Sequence, residues 1–234
     1  MSFVSTPEIR DLQAYCGQQP FDAAYFKTLC EAVVARGHVA EILRQLARNA
    51  SLQTVAQNSY LHDNGFTKLV VFRSDRCAVR LHLWDTLSSN DQIVSNIHNH
   101  RWNFFSRLLA GEYDQEQFAP SKAAADGERY FASRYVASAD DYEVIPLGEI
   151  LLQRSRRQRM LAPSSYYMAA DVMHRVTVPA RCLTATIVVQ AQTLSASTTI
   201  CSPHPIAGTG RQGKLAMTVD DVRSRLVLIA TLNT

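Results

Sequence analysis

The sequence predicts a mainly β protein, an antiparallel sandwich or barrel that follows a helical segment. Residues 66–190 hold about ten short segments rich in β-branched and aromatic residues, and turn-type residues separate them. The residues before them carry apolar side chains at helical spacing instead. Hydrophobic residues make up 47% of the 234 residues, which is enough apolar material for a packed core.

Helices are predicted over roughly the first sixty residues. The segment "FDAAYFKTLCEAVVARG" offers Asp22 as an N-cap and Gly37 as a stop signal. The segment "VAEILRQLARNA" repeats the helical period, with Ile42, Leu43 and Leu46 on one side. We therefore expect two amphipathic helices ahead of the β region.

The strands follow in a regular order along the chain. The predicted strands are "FTKLVVFR", "CAVRLHLWD", "QIVSNIHNH", "NFFSRLLAG", "EYDQEQF", "RYFASRYVAS", "GEILLQRSR", "YYMAA", "HRVTVP" and "CLTATIVVQ". Turn residues between them include "RSDR", "SSND", "AADGE", "IPLG", "APSS" and "VPAR". Short strands at such spacing are typical of antiparallel sandwiches and barrels.

This pattern divides the chain into three parts. Residues 1–62 are predicted to form a helical extension that packs on the barrel, and residues 63–195 to form the β-barrel itself. Residues 196–234 are predicted to form a C-terminal loop and a closing element. For "TVDDVRSRLVLIATL" within that last part, the pattern leaves a helix and a strand both open.

Charge and cysteine content exclude several classes of protein. The net charge of +3 is too small to favour nucleic acid or an anionic membrane as a partner. No apolar run reaches the ~18 residues of a membrane span, and the first residues lack a basic start with an apolar core. Five cysteines without a CxxC pair fit reduced thiols. We therefore expect a cytoplasmic protein.

Two histidines in "IHNHRW" introduce the chemistry. His98 and His100 are two residues apart, so on a strand they face the same way about 6.6 Å apart. Two such imidazoles can bind one metal ion at ~2.1 Å from each nitrogen, with a third ligand from elsewhere. His174, in "APSSYYMAADVMHRVTV", is the best candidate for that third ligand. An isolated HxH also occurs by chance, and three structural histidines are the alternative.

The two segments "HNHRWNFFSRLLAGEY" and "LAPSSYYMAADVMHRVTV" resemble the two metal-binding motifs of the cupin superfamily. The likeness covers roughly residues 66–190 and is closest to the cysteine dioxygenase-like (thiol dioxygenase) branch, to which "HRV" and "RLHLW" are similar. The resemblance implies a cupin-type antiparallel β-barrel (jelly roll). It also implies metal ligation by His98, His100 and His174, with Fe(II) as the expected metal and Zn, Ni, Cu or Mn left open.

The sequence departs from the family patterns at three places. Many cupins carry a Glu where this chain has Phe104 and Phe105, so the predicted ligands are three neutral imidazoles. Thiol dioxygenases bind the substrate carboxylate with an Arg after an aromatic–Thr pair, and "FTK" puts Lys68 there. The strand "TATIV" also lacks the His and Tyr of their Ser-x-His-x-Tyr strand.

Further site residues are predicted around the three histidines. His82 shares a strand face with Arg80 and is predicted to be a general base or to orient substrate, with surface exposure as the alternative. Tyr166 precedes the third ligand and is predicted to offer its hydroxyl to substrate or oxygen. The predicted substrate-binding residues are Lys68, Arg80, Trp102, Phe104, Arg107 and Tyr167.

The function expected from these residues is that of a mononuclear non-haem metal oxygenase. It would use O₂ and act on a small anionic substrate such as an amino acid or a thiol derivative. A cupin isomerase or lyase, a zinc hydro-lyase and a non-catalytic metal- or ligand-binding cupin remain alternatives, because imidazole suits Fe, Zn, Cu and Ni alike. We expect a small-molecule substrate, no nucleic acid and no membrane, and a homodimer remains open.

Overall fold

The architecture is that of two antiparallel β-sheets with helices at both ends of the chain. The computed structural model describes residues 6–16, 18, 20–48, 52–62, 64–86, 89–122, 126–137, 142–206 and 215–232. The helices are α1 (Pro7–Tyr15), α2 (Ala23–Val33), α3 (Arg36–Arg48), α4 (Leu52–Asn58) and α5 (Val219–Leu232). Each helix of the described residues is too short or too polar to cross a lipid bilayer.

Local signals explain where the first helices begin. The Thr6 hydroxyl accepts a hydrogen bond from the backbone of Ile9 at 3.3 Å and caps α1. The predicted N-cap Asp22 is confirmed, because its carboxylate accepts hydrogen bonds from the first backbone N–H groups of α2. The predicted stop at Gly37 is wrong: α2 ends at Val33, and Gly37 lies in the first turn of α3.

The strands follow the predicted order with some changes in length. They are β1 (Tyr60–His62), β2 (Phe66–Arg73), β3 (Ala78–Asp85), β4 (Ile93–Val94), β5 (Ile97–His98), β6 (Trp102–Ala110), β7 (Glu112–Pro120), β8 (Glu128–Ala137), β9 (Tyr142–Leu161), β10 (Ser165–Met168), β11 (Met173–Val178), β12 (Leu183–Thr193), β13 (Ser197–Ser202) and β14 (Leu215–Ala216). The predicted strand "QIVSNIHNH" is broken into β4 and β5. The predicted turn "IPLG" lies within β9, where Gly148 has a φ of +95° beside a shift of register against β8.

The strands form two seven-stranded sheets. Sheet 1 has the order β10-β6-β12-β3-β2-β1-β14, and sheet 2 has the order β4-β11-β5-β13-β8-β9-β7, with β11 also paired to β7. The neighbouring strands that pair within the described residues are antiparallel to each other. The predicted fold class, mainly β and antiparallel with an N-terminal helical segment, is therefore confirmed.

The helices cover the outer face of sheet 1. Buried side chains of the helices, such as Phe26 on α2 and Leu226 on α5, form one apolar cluster with Leu81, Phe105 and Ile187 of the sheet. A strand exposes alternate side chains to its two faces, so the other face of these strands is left for the interior. The C-terminal segment with two open interpretations is a helix, α5, and it packs with the N-terminal helices.

Three of the described strands lie outside the range 63–195 predicted for the barrel. β1 pairs with β2 and β14, and β13 pairs with β5 and β8, so all three belong to the sheets. The predicted loop "SPHPIAGTGRQGK" falls partly outside the described residues, at positions 207–214. The division of the chain into three domains stays a prediction.

Candidate metal centre

Three histidines from two distant segments converge between the sheets. His98 ends β5, His100 follows two residues later, and His174 lies on β11, where it is the direct cross-strand partner of His98. One ring nitrogen from each of the three lies within 4.8 Å of the other two. The Nε2 atoms of His100 and His174 are 3.4 Å apart. The structure therefore brings together the three residues that the sequence predicts as metal ligands.

Backbone contacts fix the segments that carry these rings. The N–H of His100 donates to the carbonyl of Ala170 at 2.9 Å, and the Ala170 N–H donates to the side chain of Asn103 at 2.9 Å. This clamp holds the turn before β11 against the segment that contains His100. On the other side of β11, the guanidinium of Arg175 donates to the buried carboxylate of Glu116 at 2.9 Å.

Hydrogen bonds to carbonyls orient two of the three rings. Nδ1 of His98 lies 2.8 Å from the carbonyl oxygen of Asn96, and Nδ1 of His174 lies 3.2 Å from that of Val172. Because a carbonyl oxygen only accepts, each Nδ1 carries the proton, and each Nε2 has its lone pair free. This is the tautomer that binds a metal through Nε2.

Burial keeps all three imidazoles neutral. Burial, together with the charge of the nearby His98, lowers the pKa of His174 to about 3. Burial also lowers the pKa of His98, and the pKa of His100 lies well below its usual value because of burial and the charge of His174. Neutral imidazoles have the lone pair that a metal ion needs, so no proton must be displaced near neutral pH.

The donor set and its spacing fit a divalent transition metal. Nitrogens 3.4 Å apart can both lie ~2.1 Å from one ion with an angle of ~108° between them. No carboxylate joins this group among the residues that the structure describes. Phe104, at one of the two positions where a Glu is common, packs its ring against His100 with centroids 4.8 Å apart. Phe105 points the other way, into the cluster under the helices.

A cavity of about 390 Å³ lies between the sheets and includes all three histidines in its wall. Lys68, Arg80 and Arg101 also line it, whereas the described part of the wall contains no Asp or Glu. The cations sit close enough to the histidines that the charges of Lys68 and Arg80 both lower the pKa of His100. The cavity is thus electropositive before any metal binds.

Both residues predicted to be catalytic line this cavity. The Tyr166 hydroxyl accepts a hydrogen bond from Tyr113 at 3.1 Å, and burial raises the pKa of Tyr166, so its phenol stays protonated. His82 packs against Phe66 with centroids 4.4 Å apart, and burial holds its pKa well below the usual value. The Nε2 of His82 is buried and has no hydrogen-bond partner in the part of the chain that the structure describes.

Four of the predicted substrate-binding residues line the cavity, and two do not. Lys68, Arg80, Trp102 and Phe104 are in its wall. Lys68 Nζ donates to the Tyr60 hydroxyl at 3.0 Å, and the Arg80 guanidinium lies 4.9 Å from the centre of the Trp102 ring.

The structure places Arg107 and Tyr167 outside the cavity, which corrects two of the predicted substrate contacts. Strand alternation is the reason: their neighbours Ser106 and Tyr166 face inward, so these two side chains face outward. Arg107 is the cross-strand partner of Ile187 in the outer cluster, and Tyr167 packs toward Phe26 with centroids 6.3 Å apart.

Sequence reasoning missed His62 as part of the cavity wall. "YLHDNG" resembles a turn, yet His62 is the last residue of β1, and its Nδ1 accepts the Asn64 N–H at 3.2 Å. Its ring stacks on Phe66 at 4.5 Å. The available signal was the alternation of Tyr60 and His62, which predicts that the two share one strand face.

Together, fold and site define a two-sheet antiparallel β protein with a three-histidine centre suited to one metal ion, in which His174 is buried and His98 and His100 are half-buried. No protein-family model matches the chain, and no curated protein matches it by sequence. Solved structures resemble its fold at low identity. An RmlC-like cupin from Shewanella frigidimarina is 11% identical, with a TM-score of 0.36 over 58% of this chain and 83% of that chain.

Two further structures carry names of enzymes. The polyketide cyclase RemF from Streptomyces resistomycificus is 8% identical, with a TM-score of 0.36 over 64% of this chain and 82% of that chain. Hydroquinone 1,2-dioxygenase from Sphingomonas sp. TTNP3 is 10% identical, with a TM-score of 0.33 over 55% of this chain and 66% of that chain. At likenesses this low we take nothing about activity from them.

Proposed function

We propose that this protein is a metal-dependent oxygenase of the cupin type that acts on a small anionic substrate and O₂. Fe(II), held by His98, His100 and His174, is the proposed metal. The observation that carries the proposal is the convergence of three neutral imidazoles in a cavity whose other charged groups, among the described residues, are all cations. Such a cavity favours an anion over a neutral or cationic molecule.

When bound, the metal would supply open coordination positions for substrate and O₂ and would lower the pKa of a coordinated acid. The three ligands are neutral, so they leave the charge of a divalent ion uncompensated. Lys68 and Arg80 add to this positive field from sheet 1, which faces the histidines across the cavity. The chain therefore attracts an anion and orients it between the two sheets.

Tyr166 and His82 can each hold a proton at a defined atom. The phenol of Tyr166 keeps its proton, so it can donate a hydrogen bond to an oxygen atom of the substrate while it accepts one from Tyr113. The unpartnered Nε2 of His82 can accept or donate a proton according to the tautomer of the ring. The aromatic side chains around them keep water out, which strengthens every electrostatic contact inside.

A zinc enzyme is the second candidate, and the donor set itself favours it. Catalytic zinc sites that hydrate or hydrolyse substrates can have three histidine ligands and leave the fourth coordination position open. The N–metal–N angle of ~108° that the His100–His174 distance allows is also close to the tetrahedral angle that zinc prefers. In that case the protein would be a hydro-lyase, or an isomerase or lyase that stabilises an enolate.

One experiment separates these functions. The protein is purified without a histidine tag, its metals are measured, and Fe(II) is added without oxygen to the metal-free form. Oxygen uptake is then followed with amino acids, thiols such as cysteine, and aromatic and aliphatic acids. Stoichiometric iron with substrate-dependent oxygen uptake is the expected result. Tight zinc without uptake favours the zinc enzyme, and failure to retain any metal contradicts both.

A further inference from the structure

The cavity wall is unusually rich in flat side chains. Eight of its 28 described lining residues are Phe, Trp or Tyr, which make up 9% of the whole chain, and five more are histidines. Phe66 is the centre of one continuous stack: His62 lies parallel to it at 4.5 Å and 8°, and His82 lies on it at 4.4 Å. Trp84 extends the stack, with its centroid 4.9 Å from that of Phe66.

A polar row crosses the same wall of sheet 1. Lys68 and His82 are direct cross-strand partners, and so are His82 and Thr186, so the three side chains lie side by side on β2, β3 and β12. The Nε2 of His82 and the Oγ1 of Thr186 are both buried without a hydrogen-bond partner among the described residues. Buried polar atoms are nearly always paired, so two neighbouring unpaired atoms beside an ammonium group indicate a place for a ligand's polar group.

The two ends of the cavity therefore offer different chemistry. Sheet 2 carries His98 and His174, with His100 in the segment after β5, and sheet 1 presents the polar row with the aromatic stack beside it. Facing sheets lie about 10 Å apart, so one small molecule can touch both walls. The volume of about 390 Å³ is in the lower part of the range for small-molecule sites, about 300–1,000 Å³.

We propose that the substrate is an aromatic carboxylate. Its ring lies against the stack around Phe66, its carboxylate is received by Lys68, His82 and Thr186, and its opposite edge points a donor group at the three histidines. This assignment rests on the proposed function and narrows it, because an aliphatic amino acid or thiol has no ring to place against the stack.

The test measures affinity by calorimetry with metal-free and Fe(II)-loaded protein under anaerobic conditions. The ligand is 3,4-dihydroxybenzoate, which carries a carboxylate, a flat ring and a pair of oxygen donors. Its saturated analogue, 3,4-dihydroxycyclohexanecarboxylate, keeps the polar groups and loses the flat ring. In the metal-free protein, where the stronger metal binding of phenols over alcohols plays no part, we expect the aromatic acid to bind about tenfold more tightly or better, because ring stacking contributes on top of buried area. Equal affinities would overturn the proposal.

Two variants test the carboxylate position. Lys68→Met should weaken 3,4-dihydroxybenzoate binding by about 10- to 100-fold, and the near-isosteric Thr186→Val by about tenfold, since hydrogen bonds to charged groups are strong. Catechol, which has no carboxylate, should bind all variants equally. Lys27→Met is the matched control, because Lys27 is exposed on α2 and makes a weak ion pair with Glu31 at 3.9 Å. Losses that are the same for catechol would refute the assignment of the carboxylate.

Oxygen uptake, measured separately, keeps the two proposals distinguishable. Uptake with cysteine or an aliphatic acid and none with aromatic acids would overturn the substrate assignment and leave the oxygenase proposal standing. Tight, ring-dependent binding without oxygen uptake would support the substrate assignment and contradict the oxygenase. Thermal unfolding of each variant checks that it folds, and the comparison of the two acids on the unaltered chain needs no variant at all.

Discussion

Acid should destabilise the metal-free protein through its buried histidines. In the unfolded chain a histidine has a pKa of about 6.5, whereas burial lowers the pKa of His174 to about 3 in the folded state. Between these two values the unfolded state binds the extra proton and the folded state does not. The free energy of unfolding therefore falls as the pH drops through 6.5, and it keeps falling down to about pH 3.

The size of the effect follows from the two pKa values of His174. Each pH unit below 6.5 costs about 1.4 kcal/mol per histidine, so lowering the pH from about 8 to about 5 removes about 2 kcal/mol. His174 is 3% exposed, so solvent screens its interactions very little and the full loss of about 2 kcal/mol is expected. The pKa values of His62, His82, His98 and His100 are lowered by burial as well, and they act in the same direction.

Urea unfolding of the metal-free protein at about pH 8, 6.5 and 5 measures this loss. His174→Gln keeps a neutral polar side chain but cannot titrate, so its loss between about pH 8 and pH 5 should be smaller by about 2 kcal/mol. His204 is exposed, and His204→Gln should follow the unaltered protein. Carboxylates that begin to titrate at the low end affect all three proteins alike and cancel in the comparison. If His174→Gln loses as much stability as the unaltered protein, His174 is not a buried neutral imidazole.

Two further predictions concern the ligands and the strand-ending glycine. His174→Ala should lose its bound metal, as measured by elemental analysis, while its thermal unfolding stays cooperative. His204→Ala is the control and should retain the metal. If His174→Ala retains the metal as well, His174 is not a ligand. Gly111→Ala should be destabilised more than Gly148→Ala by about 2 kcal/mol in urea unfolding, since a Cβ at Gly111 would lie 2.3 Å from the carbonyl oxygen of Leu183, whereas one at Gly148 meets nothing within 4 Å. Both glycines have a positive φ, so the backbone strain of alanine is common to the two variants, and equal losses would contradict the role of the Gly111 contact.

Sequence patterns predicted most of the strands because each is a local signal. "FTKLVVFR" corresponds to β2 residue for residue, and "NFFSRLLAG" to β6 within one position. The predicted turn "IPLG" was wrong, because strand pairing can outweigh residues that usually end a strand. Pro146 and Gly148 remain inside β9, since β8 pairs with them through a shift of register. Gly37 failed as a helix stop because the chain turns earlier, after Val33.

In the candidate site, too, the residues predicted correctly are those that a local sequence pattern identifies. The spacing of His98 and His100, with His174 in a second motif, was enough to predict a three-histidine centre. Residues i and i+2 of a strand point their side chains to the same face, so the spacing alone sets the direction of the pair. For Arg107 and Tyr167, the sequence alone could not show which face of their strands points into the cavity. That face is set by which sheet the strand joins and which side the helices cover.

What the sequence determined by itself is therefore the mainly β class and the three histidines that form the candidate metal centre, since both depend on periods of two and on residue type. Only the tertiary structure decided that His62, His82 and Thr186 share a wall with Lys68, and that this wall faces the histidines across one cavity. These residues come from β1, β2, β3 and β12, which are distant in the chain. They become neighbours only when sheet 1 assembles, because cross-strand register is a property of the paired strands and not of any one of them.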